Sequence, residues 1–135
     1  MYGNPTFHCD GAGIRAHCRQ LATVVSIAGH LDAMNVDKAS RYIHRFILAE
    51  KPFVLDLSDV DSFTEEAISL LFTVDDLCAA AGVEWSLIAG RAVEQTLRDA
   101  DIEFEGAGSV PEALNHFADA MVARRQLLPL LTKSA

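Results

Sequence analysis

The chain has 135 residues, 50% apolar and 22% charged, a composition that suits one folded domain and excludes a disordered chain. Its 19 acidic and 11 basic residues leave a net charge of −8, which argues against nucleic acid and against an anionic membrane surface, both of which are met through clustered Lys and Arg. The apolar runs fall short of the ~20 residues of a membrane span, no basic leader precedes an apolar stretch, and the 3 cysteines form no CxxC pair, so the chain reads as cytoplasmic.

Residues 1–12 are rich in Gly, Asn, Pro and Asp and read as a loose arm, or an edge segment that needs a partner. Residues 14–18 suggest a short strand, and residues 22–28 a firmer one, dense in β-branched residues and closed by Gly29. Over 35–48, Val36, Ala39, Tyr42, Ile43, Phe46 and Ile47 recur at helical spacing, until Lys51-Pro52 stops the helix. Residues 53–57 (FVLDL) suit a buried central strand, and 58–62 (SDVDS) a polar turn. A helix follows over 64–81, with Gly82 at the position expected of a helix-ending glycine. Residues 83–89 predict a strand and 92–100 a helix; 102–104 suggest a short last strand. Pro111 opens a final helix to 125, with Ser109 as its cap and Glu112 three residues on. Strands alternating with helices predict an α/β fold with mostly parallel central strands and helices covering them.

Catalytic patterns are missing from this order. The histidines are scattered, and HExxH, GxSxG, GxGxxG and Walker-type loops are absent, so no enzyme, metal site or cofactor is expected. The informative feature is charge. Between Lys51 and Arg91 there is no Lys, Arg or His, while Asp56, Asp59, Asp61, Glu65, Glu66, Asp75, Asp76 and Glu84 fall inside. Several of these cluster where a central strand meets the next helix, the part of an open α/β sheet that meets ligands and partners. An ordinary reading competes: Ser62 with Glu65 fits a capping box, and acids near a helix start suit its dipole.

Three stretches carry a family resemblance: Gly29-His30-Leu31-Asp32 after a strand, Val54-Leu55-Asp56-Leu57-Ser58 at a strand end, and the spacing from there to Ala80-Ala81-Gly82-Val83. With Val110-Pro111-Glu112-Ala113-Leu114 at the last helix, the chain resembles a STAS domain of the anti-sigma-factor-antagonist type over roughly residues 14–122. The organisation expected is an arm over 1–13, a STAS-like domain over 14–125 and a tail over 126–135, with the tail similar to actinobacterial members. The resemblance implies a single domain with a small mixed sheet and helices packed against it, and a binding module that captures an anti-sigma factor, often a serine kinase, and so frees a sigma factor. It also implies a switch, in which a serine at the start of the second helix is phosphorylated and binding ends.

At that point the sequence departs from the family pattern. Aligned from Asp56-Leu57-Ser58, the motif reads Thr64-Glu65-Glu66-Ala67, and Glu65 takes the place of the switch serine. Glu65 then mimics the phosphate, or is compatible with binding and leaves an antagonist that cannot be switched there, or a neighbour (Ser58, Ser62 or Thr64) takes the phosphate. A non-switchable or differently regulated antagonist is slightly favoured, because a carboxylate carries one charge against roughly −1.5 to −2 for a phosphate and mimics it only in part. A bland alternative makes Glu65 a plain helix-start residue.

The contact surface expected comprises Asp32, Asp59, Asp61, Ser62, Phe63, Thr64 and Glu65, with Phe63 either an exposed anchor or a hydrophobic staple. Phe72 is expected in the core and Trp85 packed in its strand. Cys9 and Cys18 are candidate redox thiols, with Arg15, His17 and Arg19 near the second; Cys78 lies on an apolar stripe and is expected to be inert. Three rivals stand beside the antagonist: a scaffold STAS module that assembles with itself, a homodimer included, a nucleotide- or redox-responsive sensor, and, ranked last, a small enzyme.

Overall fold

The computed structural model describes residues 6–19, 21–104 and 106–133, with side chains as far as residue 123. Five strands form one sheet whose spatial order equals their order in the chain. β1 (Phe7–Cys9), β2 (Ala12–Cys18) and β3 (Thr23–Leu31) pair antiparallel; β4 (Phe53–Phe63) and β5 (Trp85–Ile88) then add in parallel. The parallel steps need crossovers, supplied by α1 (Val36–His44) between β3 and β4 and by α2 (Ile68–Ala81) between β4 and β5. α3 (Gly90–Asp99) and α4 (Val110–Lys133) complete the chain. The fold is α/β as the alternation predicts, and its sheet is mixed, as the resemblance implies.

Side-chain alternation decides what covers each face of the sheet. Ile14, Val25, Ile27, Leu31, Phe53, Leu55 and Leu57 join one core with Ala39 and Ile43 of α1, Leu70, Leu71, Val74 and Cys78 of α2, and Val93 and Leu97 of α3. Val24, Val54 and Ile88 point the other way and bury against Ala113 and Phe117 of α4. The central strands are therefore covered on both faces, which is why their sequences read as nearly continuous apolar runs.

Several local expectations change. Residues 7–13 of the expected arm make β1 and open β2, so they belong to the sheet; residues 1–5 lie outside the described residues. The polar turn expected over 58–62 is the second half of β4. Val60 and Phe63 turn inward there, and register irregularities against β3 between Ser26 and Ala28 and between Gly29 and His30 accommodate them. The capping box of Ser62 with Glu65 does not form: Thr64 stands before a 3-10 turn, Glu65–Ala67, and makes no side-chain cap bond. Gly82 does end α2, in the left-handed conformation at φ 71°. Residues 102–104 form no strand; instead Gly106 bridges Leu87. At α4 the expected cap is present, with the Glu112 amide donating to Ser109 Oγ at 3.2 Å. The α4 backbone continues through Pro129 to Lys133, so residues 126–133 of the expected tail are helical, while 134–135 lie outside the described residues. Phe72 is not core: it is 49% exposed and rests against Phe104.

Candidate functional site: the strand-end loops

The parallel register of β3 and β4 runs out at His30 beside Ser62 and Leu31 beside Phe63. The Thr64 amide then donates to the Leu31 carbonyl at 3.0 Å. Residues 32–35, leaving β3, and residues 64–67, leaving β4, are thereby held side by side at one end of the sheet.

The first of these loops is fixed from below by Asn35, which is fully buried. Its Oδ1 accepts from the Asp32 amide at 3.0 Å. Its Nδ2 donates to the carbonyls of His30 at 2.8 Å, Asp10 at 3.2 Å and Cys9 at 3.3 Å. One side chain thus ties the β1–β2 turn to the end of β3. Gly29 permits that closeness: at φ +98° an added Cβ would collide with the Gly11 carbonyl oxygen. Asp32 caps its own loop, its Oδ1 accepting from the Met34 amide at 2.9 Å. The Met34 side chain stands out from this rigid turn, 79% exposed.

The second loop carries the negative charge. Glu65 and Glu66 are exposed in the 3-10 turn that leads into α2. Charges of this sign are favoured at a helix start, so the turn tolerates them without a cation partner. Thr64 is different, because its Oγ1 is enclosed and has no hydrogen-bond partner. A kinase could reach that hydroxyl only if the turn opened.

The predicted contact residues divide. Asp32, Ser62, Thr64 and Glu65 come together at the strand ends, with Asp61 exposed just before them. Phe63 does not join the surface: it is 5% exposed and belongs to the core, and its carbonyl accepts from Thr96 Oγ1 at 2.5 Å. Asp59 lies lower, in a recess with Arg15, His17 and Ser26. Ser58 is exposed, with its Oγ donating to Asp56 Oδ1 at 2.6 Å. Sequence reasoning missed Asn35, Met34 and Thr96. For Asn35, its residue type before a helix was a cue to capping but none to burial.

The cysteines also divide. Cys9 is buried, not reachable as expected from an arm; burial pushes its thiol up, and Asp10 adds to this against Lys38. Cys18 is exposed at the end of β2. Cys78 is buried in the core, its thiol pushed up to about 12 by burial first and by Asp75 second. Among the described residues no group of three or more His, Cys, Asp or Glu could hold a metal ion, and no helix is long and apolar enough to cross a membrane.

Comparison with known proteins adds three likenesses. The family model of the STAS domain matches residues 13–113. Osmosensory protein A of Mycobacterium tuberculosis is 45% identical over 140 residues, covering 98% of this chain and 89% of that protein. Among solved structures, an anti-sigma factor antagonist from Mycobacterium paratuberculosis superposes with a TM-score of 0.63 at 17% identity, over 79% of this chain and 94% of its own. The anti-sigma factor antagonist SpoIIAA in its unphosphorylated form gives a TM-score of 0.63 at 12% identity, over 78% of this chain and 96% of its own.

Proposed function

Because the chain belongs to the STAS-domain family, we propose that it acts as an anti-sigma-factor antagonist whose binding is not switched off by phosphorylation at the start of α2. The observation that carries this reading is the pairing of two loops at one end of the sheet, one presenting exposed Met34 and the other exposed Glu65, which the motif alignment sets against the switch serine. The anti-sigma factor, a serine kinase in many systems of this kind, docks across Asp32, Met34, Ser62 and Glu65. Its complementary surface is basic with an apolar pocket, since the loops offer carboxylates around one methionine.

Glu65 supplies one negative charge, where a phosphoserine would supply roughly −1.5 to −2 and three strong acceptors. It therefore falls short of the state that ends binding, and it lacks the hydroxyl that a kinase needs. The protein acts in the cytoplasm as a non-catalytic module. The 45% identity to Osmosensory protein A supports an osmotic input to its regulation. The likeness of fold to two anti-sigma-factor antagonists supports the partner class.

Calorimetric titration against the host's anti-sigma factors tests this. The unaltered chain is expected to bind one of them, with Glu65→Ser and Glu65→Ala within a few-fold of it. Binding by both variants but not by the unaltered chain would make Glu65 a permanent off state. Silence from all three would refute the antagonist and favour a scaffold that assembles with copies of itself.

A further inference from the structure

A second concave site lies away from the strand-end loops. It is a cleft of about 570 Å³ between the C-terminal half of α2, the start of β5, the segment around Phe104 and the first turns of α4. Trp85 and Phe104 form two of its walls, with ring centroids 6.1 Å apart and planes at 62°. Phe72 extends this aromatic ledge outward, 5.4 Å from Phe104.

Carboxylates outnumber the other polar side chains of the lining, Ser86 and His116. Asp75, Glu84 and Glu112 contribute carboxylates, His116 is the sole basic side chain, and no Lys or Arg lines the cleft among the described residues. The carboxylates of Asp75 and Glu112 are held in place. Asp75 Oδ1 accepts from Trp85 Nε1 at 2.8 Å, and Glu112 Oε2 accepts from the Gly108 amide at 2.9 Å.

We propose that this cleft binds a small organic cation of the quaternary-ammonium kind. Aromatic faces attract a cation through their quadrupole, tryptophan most strongly, and a methylated ammonium gives up its hydration readily enough to lie against them. Fixed carboxylates around the rings add long-range attraction and exclude anions. A metal ion is a poor occupant, because it needs several oxygens converging on one point, and these acids form no such group. The cleft volume matches an ordinary small-ligand site.

Trp85 is the only tryptophan, so its emission reports occupancy directly. Choline, tetramethylammonium and the neutral choline isostere 3,3-dimethylbutan-1-ol are titrated into the full chain at constant ionic strength, with potassium chloride as the control. Choline and tetramethylammonium are expected to give saturable changes, and the neutral isostere binding at least tenfold weaker. Phe104→Leu keeps an apolar side chain but removes a ring, and Glu84→Gln keeps the shape but removes a charge. Each is expected to weaken choline about fivefold while the circular-dichroism melt stays native-like. An unsaturable response, a response equalled by potassium chloride, or an isostere that binds as well as choline would overturn the proposal.

Discussion

Asn35→Ala is the most direct test of how the strand-end loops are built. The substitution removes the two close hydrogen bonds, from the Asp32 amide at 3.0 Å and to the His30 carbonyl at 2.8 Å, and the two longer ones to Asp10 and Cys9. The close pair contributes about 1 kcal/mol each and the longer pair less, and groups left unpaired in the interior add their own desolvation. The sum is about 2–4 kcal/mol, or roughly 10 °C in Tm for a domain of this size. Asn35→Asp sharpens the test. It keeps an acceptor for the Asp32 amide but turns a carboxylate oxygen toward three carbonyl oxygens, so it should cost more than alanine does. Urea unfolding followed by circular dichroism gives both numbers, and hydrogen exchange at the Met34 and Thr64 amides shows whether the loops loosen first. A loss below about 0.5 kcal/mol for alanine, or aspartate tolerated better than alanine, would refute the account.

Met34→Ala should weaken capture of the anti-sigma factor about tenfold while leaving stability within about 0.5 kcal/mol, because the side chain is 79% exposed. Unchanged affinity would remove Met34 from the interface. With a thiol reagent at pH 8, Cys18 should react fast while Cys9 and Cys78 wait for the protein to open; two fast thiols would contradict the burial of Cys9. Cys78 also predicts a pH dependence. Its folded thiol is raised from 9.0 to about 12, so the unfolded chain loses that proton first, and stability is full below about pH 9 and falls as the pH rises toward 12. Cys78→Ala should flatten that fall, and an unaltered alkaline slope would show that another group causes it.

Much of the architecture is legible in the residues. The switch from β-branched runs to helical spacing marks β3, α1, α2 and β5, and Gly82 marks the end of α2. The second half of β4 is not legible for a physical reason. Asp59, Asp61 and Ser62 look like a turn, yet the strand continues, because Val60 between them and Phe63 after them bury through a break in register. Such breaks exist only against a neighbouring strand, so no local pattern announces them. The same holds for Asn35: its partners are 5, 25 and 26 residues away in sequence. Phe72 reads as core from the sequence, and only its 49% exposure shows that it faces outward, with Phe104 against it. At the candidate site, charge pointed to the strand ends where Glu65 and Glu66 are exposed, while no local pattern announced the burial of Phe63 or the exposure of Met34.

The strand order has a consequence for how the protein is made. Because each strand lies beside the one before it in the chain, a growing polypeptide never has to open an existing pair to admit a later strand. β1, β2 and β3 can close as a meander of local contacts while the rest is still being synthesised, and local contacts form fastest. Asn35 follows soon after and latches that meander shut. β4 must then arrive across the α1 crossover, and only its arrival sets the residue 64–67 turn against the residue 32–35 loop. A ribosome-bound fragment ending before β4 would therefore hold a nearly finished meander but only one of the two strand-end loops, and the pair is complete only once the turn after β4 has cleared the ribosome.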